Sequence, residues 1–146
     1  MPQDPAPRIG ANTVTLLGQV YSLLGFRIVD GVVGAGFPQK PSHSAVFAQI
    51  GSDGSRLSTL ARGAGMTAQA MGEIVDELEE LGYVERRPDP TDRRAKLIVL
   101  TPRGQDCIAA GRATIDGIEE RLDELLGVDG HTELRRVLTT VLTAEQ

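Results

Sequence analysis

Residues 84–104 read VERRPDPTDRRAKLIVLTPRG. Two segments of strand-forming residues, "YVERR" and "AKLIVL", flank a run with two prolines and two aspartates, the pattern of a β-hairpin. Each proline lacks an N–H and fixes φ, so "PDPTDRR" is expected to be an extended loop outside any paired ladder. Arg86, Arg87, Arg93, Arg94, Lys96 and Arg103 gather here against Glu85, Asp89 and Asp92, although the whole chain is net −5. A projecting basic loop is suited to lie along phosphates or to enter a narrow groove of negative potential.

The segment before the hairpin reads as helices. "PSHSAVFAQI" predicts a short helix capped by Ser42 and is followed by the turn "GSDGS". Leu57, Leu60, Ala61 and Ala64 mark a second short helix, with Ser58 as its expected cap. Thr67 then caps a longer helix whose apolar face is Ala70/Met71, Ile74/Val75, Leu78 and Leu81, and Gly82 ends it. Two helices joined by a glycine-bearing turn make a helix-turn-helix, although a helical hairpin in any all-α domain has the same pattern. The hairpin that follows turns this into a winged helix-turn-helix.

After the hairpin, Thr101 and Pro102 give the signal of a helix start. Ile108, Gly111, Ile115, Ile118, Leu122 and Leu125 then step by three and four residues, the seam of nearly parallel helices. Leu134, Val137/Leu138 and Val141/Leu142 repeat it after "GVDGH". An earlier helix carries Leu16/Leu17, Val20/Tyr21, Leu24 and Ile28 on one face and ends at the glycines of "GVVGAGFP". These helices suit an intertwined dimer through Leu16, Val20, Ile115, Ile118, Leu122, Leu134, Leu138 and Val141; packing back on their own domain is the alternative. The expected class is mainly α (α+β), with a two-stranded wing and a helical dimerisation domain. Its divisions are a flexible lead-in over 1–8, a helix and linker over 9–40, the winged domain over 41–100 and dimerisation helices over 101–146.

Composition narrows the function. With 146 residues, 40% apolar and 24% charged, the chain is one ordinary globular domain, and 3% aromatics leave the core to aliphatic side chains. A single cysteine, Cys107, excludes an internal disulfide and fits a reducing cytoplasm. No metal-ligand spacing and no activated nucleophile emerge, so neither an enzyme nor a cofactor is implied. "GVVGAGFP" lacks the Lys-Ser/Thr pair of a phosphate loop. No signal peptide or apolar run of spanning length is read, so no membrane partner is expected. The acids concentrate after Gln105, away from the basic hairpin, so the negative total leaves a nucleic-acid partner open.

With this order of elements, the chain resembles the MarR family of winged helix-turn-helix regulators over residues 10–145. "DPTDRRAKLIVLTPRG" is similar to the family's wing running into the next helix. "LSTLARGAGMTAQAMGEIVDELEELGYVERR" is similar to its helix-turn-helix. The resemblance implies an obligate homodimer that binds a palindromic operator, usually as a repressor, and is relieved by a small, often aromatic, molecule held between the two domain types.

On that footing the first turn of the recognition helix, Thr67, Ala68 and Gln69, faces the major groove. Gln69 bonding bidentately to adenine is worth about 1–3 kcal/mol of discrimination. Arg93 and Arg94 are the wing contacts, with Asp92 expected to orient one of them by a salt bridge. Arg86, Arg87 and Lys96 either meet phosphates or are solvated. Many relatives carry Ser-Arg where this chain has Gly72-Glu73, so Glu73 either accepts from a cytosine amino group or faces solvent. Candidate ligand residues are Phe26, Arg27, His43, Phe47 and Arg86. Cys107, on the apolar side of its helix, reads as structural. The competing reading is a protein–protein interaction module that kept the scaffold but lost its operator.

Overall fold

The computed structural model describes residues 11–145; the expected lead-in over 1–8 lies outside them. Helix α1 (Thr13–Gly34) starts at Asn12, whose side chain accepts the Thr15 N–H at 2.9 Å. Its length and a window of mean hydropathy 1.4 would suffice for a membrane span, contrary to the expectation that no apolar run comes near that length. Arg27 and Asp30 lie in it, however, and Gly31 comes so close to a later helix that an added Cβ would sit 2.5 Å from Thr114. Val32, near its end, is buried, whereas Leu16, Leu17, Val20 and Tyr21 on the same helix are exposed.

A connector leads to a single 3₁₀ turn (Pro41–His43) and the four-residue α2 (Ser44–Phe47). Ser42 does not cap it. The Lys40 N–H instead donates to His43 Nδ1 at 3.1 Å, and the Ser44 hydroxyl donates to Pro41 O. Strand β1 (Ser55–Arg56) and helix α3 (Leu57–Gly63) follow. Ser58 lies inside α3, whose N-cap residue is Arg56 and has no side-chain cap. Helix α4 (Ala68–Glu80) is capped as expected, with Thr67 Oγ1 accepting the Ala70 N–H at 3.1 Å. Its buried face is Met71, Ile74, Val75 and Leu78, and Gly82 beyond its end takes φ +79°.

The hairpin is more paired than its prolines suggest. β2 (Val84–Asp89) and β3 (Asp92–Leu100) leave only Pro90 and Thr91 between them. Pro88 stands opposite Lys96 inside the ladder, which is tolerated because β2 is an edge strand in the order β1-β3-β2. The missing N–H still has a consequence. The next pair is Asp89 with Asp92, so Arg93, Arg94 and Ala95 have no partner on β2 and bulge from β3. β1 adds a third strand that its two residues could not announce in sequence.

The turn is held by Asp89, which is buried. Its Oδ1 accepts from both the Thr91 N–H (2.8 Å) and the Thr91 hydroxyl (2.7 Å), and its Oδ2 from Arg56 Nε (2.9 Å). Arg56 thereby pins β1 to the wing. The expected salt bridge from Asp92 to a wing arginine does not form. Asp92 Oδ1 accepts the Arg94 backbone N–H at 2.9 Å, and its nearest cation is Arg56 at 4.0 Å.

Helix α5 (Pro102–Ala144) starts at Thr101, whose hydroxyl accepts the Gly104 N–H. It breaks at Gly127, whose φ +71° and ψ 158° suit glycine alone. The residues beyond fold back along those before: His131 Nδ1 lies 2.8 Å from Asp123 and Arg135 3.0 Å from Glu119, pairs that flank Gly127 symmetrically. The halves form a helical hairpin rather than helices separated by a "GVDGH" loop.

Everything meets at Tyr83, which is fully buried. Its hydroxyl donates to Pro38 O at 2.6 Å, its N–H to Leu78 O, and its carbonyl accepts the Thr101 N–H at 3.0 Å. Phe37 and Phe47 pack on the ring, and the Arg103 guanidinium lies 5.3 Å from its centroid while its Nε caps Leu81 O. Burial pushes the phenol above its ordinary pKa and keeps it a donor. Gly104 fits under this residue because it has no side chain, as an added Cβ would lie 2.0 Å from Tyr83 O.

Two stability predictions follow from this packing. Gly104→Ala lowers the unfolding free energy by about 2–3 kcal/mol, whereas Gly72→Ala, at a helical position where an added Cβ meets only Leu57 in ordinary contact at 3.9 Å, raises it by about 0.5–1 kcal/mol. Denaturant unfolding at one protein concentration checks both signs. Hydrogen bonds from Thr91 and then Arg56 hold the Asp89 carboxyl down at about 2, so its stabilisation is full above the ordinary carboxylate range and disappears as pH falls from about 4 through about 2. Asp89→Asn therefore lowers the melting temperature at neutral pH and flattens its fall across that window; parallel profiles for the two proteins would contradict the assignment.

Candidate nucleic-acid interface and ligand cleft

The leading end of α4 is open. Thr67, Ala68 and Gln69 are exposed, as is Glu73 one turn further on. Thr67 is committed as cap, so its hydroxyl already holds a backbone N–H. The next backbone donors of the first turn are available to an anion, as at any helix N-terminus.

The six basic residues of the opening stretch have different roles. Arg86 is bound to Asp76 at 2.7 Å and Glu79 at 3.2 Å, and its own N–H donates to Glu79. It welds β2 to α4 and is removed from both the wing tip and the cleft described below. Arg87 pairs with Glu85. Arg103 is committed to Tyr83 and Leu81. Among the described residues Arg93, Arg94 and Lys96 have no acidic partner, and all three are exposed. An unpaired guanidinium pair on a bulge is a ready partner for phosphate oxygens. Arg62, exposed at the end of α3 and likewise without an acid, is a further cation close in sequence to the start of α4. Sequence reasoning passed over it because it stands alone.

The acids of α4 are also sorted by the fold. Asp76 and Glu79 are taken by Arg86, and Glu77 by Lys40 (3.1 Å) and His43 (2.9 Å). The His43 Nδ1 accepts from the Lys40 N–H, so Nε2 carries the proton and donates to Glu77. Hydrogen bonds from His43 and Lys40 hold the Glu77 carboxyl below its ordinary range. His43 is thus buried and saturated, tying the connector to α4. No sequence signal linked residues so far apart.

A cleft of about 970 Å³ lies between α1, the Pro41–Gln49 region and α5. Of the candidate ligand residues, Phe26 and Phe47 line it; Arg27, His43 and Arg86 do not. Tyr21, Met66, Ile74 and Ile115 add apolar wall, and the one charged residue in the lining is Arg112, which has no acidic partner among the described residues. Its position beside, not on, the apolar seam of the long helix hid it from the sequence reading. Cys107 also borders the cleft, but it is buried and its thiol is pushed above its ordinary pKa by that burial, the opposite of a reactive thiolate.

The expected dimerisation residues are unevenly covered. Leu16, Val20, Ile115, Leu138 and Val141 are exposed, with Val20 at 50% and Val141 at 60%, and Ile118, Leu122 and Leu134 are half-buried.

Comparison with known proteins gives a consistent result. A model described as the MarR family matches residues 40–95. Transcriptional regulator HosA of Escherichia coli O111:H- is 30% identical over 88 residues, which are 60% of this chain and 63% of that protein, so the match spans just under two thirds of that relative's length. Among solved structures, a MarR family transcriptional regulator from Rhodococcus sp. RHA1 superposes with a TM-score of 0.67 at 25% identity over 86% of this chain and 90% of its own. CouR from Rhodococcus jostii RHA1, bound to p-coumaroyl-CoA, does so with 0.67 at 26% identity over 95% and 94%. The winged helix-turn-helix set on long helices and these matches agree: the chain is similar to the MarR family of winged helix-turn-helix regulators, with the family's model matched over residues 40–95.

Proposed function

We propose that the chain is a homodimeric, cytoplasmic transcriptional regulator that binds a palindromic operator through α4 and the wing, acts as a repressor, and is relieved by a small ligand held in the cleft. The observation that carries this reading is the bulge at Arg93–Ala95, which holds two guanidinium groups and, with Lys96, presents cations that no carboxylate of the described chain satisfies. This favours a duplex partner over a protein-interaction module. The apolar side chains exposed on α1 and on both halves of α5 support self-association, because monomers rarely leave so many large apolar side chains uncovered on their helices.

The cleft supports a ligand with an apolar body and one anionic end facing Arg112. The acyl-CoA held by CouR makes aromatic acids and their thioesters the first class to test.

Binding to a promoter-derived duplex weakens linearly on a log–log plot against salt, and Arg94→Ala reduces the slope by about one. Salt-independent binding by the wild type would count against the reading. In a thermal-shift panel of aromatic acids and their CoA thioesters, at least one compound raises the melting temperature, and Arg112→Met abolishes the rise. An unchanged rise in the variant would remove Arg112 from the site.

A further inference from the structure

We infer that Glu73 is a specificity-determining residue of this interface, its carboxylate accepting a hydrogen bond from the exocyclic amino group of a cytosine in each operator half-site. The inference rests on the duplex-binding reading above. Helix α4 contains no Arg or Lys, so the contact most often made to guanine O6 and N7 has no donor here. Base reading by α4 must then use neutral or acidic side chains. Gln69 and Glu73, one turn apart on the same face, are both exposed.

Glu73 is the one unpaired acid near the leading end of α4, since Glu80, also without a cation among the described residues, is the last residue of the helix. Asp76, Glu77 and Glu79 each meet a cation brought from another element, which cancels their charge close to the phosphates. Glu73 meets none among the described residues. Gly72 beside it has no side chain, and a Cβ there would only touch Leu57 in ordinary contact at 3.9 Å, so nothing at 72 blocks the approach of a base edge. A carboxylate among phosphates is repelled unless a donor faces it, and in the major groove cytosine N4 is the donor that matches it. Arg93, Arg94 and Lys96 supply the attraction to the backbone, so the helix can spend its side chains on the bases.

Selection of bound sequences from a randomised duplex library by the purified full chain, repeated with Glu73→Gln and Glu73→Ala, tests this. All three proteins are expected to melt at the same temperature, since the side chain is exposed. The wild type enriches a palindromic motif with cytosine at one position of each half-site. Glu73→Gln moves that position toward adenine, and Glu73→Ala flattens it by about tenfold while the other positions persist. An enriched motif identical in all three proteins, with both variants binding every sequence more tightly, overturns the inference and makes Glu73 a repulsive bystander. A library from which the wild type enriches nothing overturns the duplex-binding reading itself, and this one with it.

Discussion

The fold depends on one buried phenol. Tyr83 immediately precedes β2 at the point where the end of α4, the start of α5 and the connector after α1 converge, and it hydrogen-bonds to each of these three through a different atom. A residue so placed sets relative orientation rather than merely filling volume. Its hydroxyl fixes the connector, its carbonyl fixes the first turn of α5, and its ring carries Arg103, which in turn caps α4. Because Gly104 permits contact at the carbonyl without an intervening Cβ, the long helix is seated directly on the winged domain. The start of the long helix and the end of α4 are therefore fixed to the same residue.

The sequence displayed the elements that obey local rules. Thr67 and Thr101 were legible as caps because a hydroxyl before a helical period has one job. The buried face of α4 was legible because its spacing repeats. Ser42 and Ser58 were misread because the same residue type serves turns and helix interiors equally well, and only the competing use of Lys40 and Arg56 decided the matter. The wing was recognised, but its extent was underestimated. The rule that proline leaves a ladder applies to central strands, and nothing local says that β2 lies at an edge.

Long-range electrostatics were not legible at all. The resemblance implied Asp92 as partner for a wing arginine, yet the carboxylate that organises the turn is Asp89, through Arg56 more than thirty residues earlier. Likewise Arg86 belonged to the basic run by sequence and to the acids of α4 by structure. This sorting resolves the apparent conflict between an acidic chain and a basic surface. Charges that neighbours can neutralise are consumed internally, and those that remain unpaired on the wing are of one sign.

The edges of the sheet carry one more implication. β1 is only two residues long, and β2 presents Pro88 together with a broken register, so neither edge offers a run of unpaired N–H and C=O groups to an incoming strand. Backbone templating, the usual route by which small sheets stick to one another, is closed. The self-association proposed above is thereby left to the apolar faces of α1 and α5 rather than to the sheet.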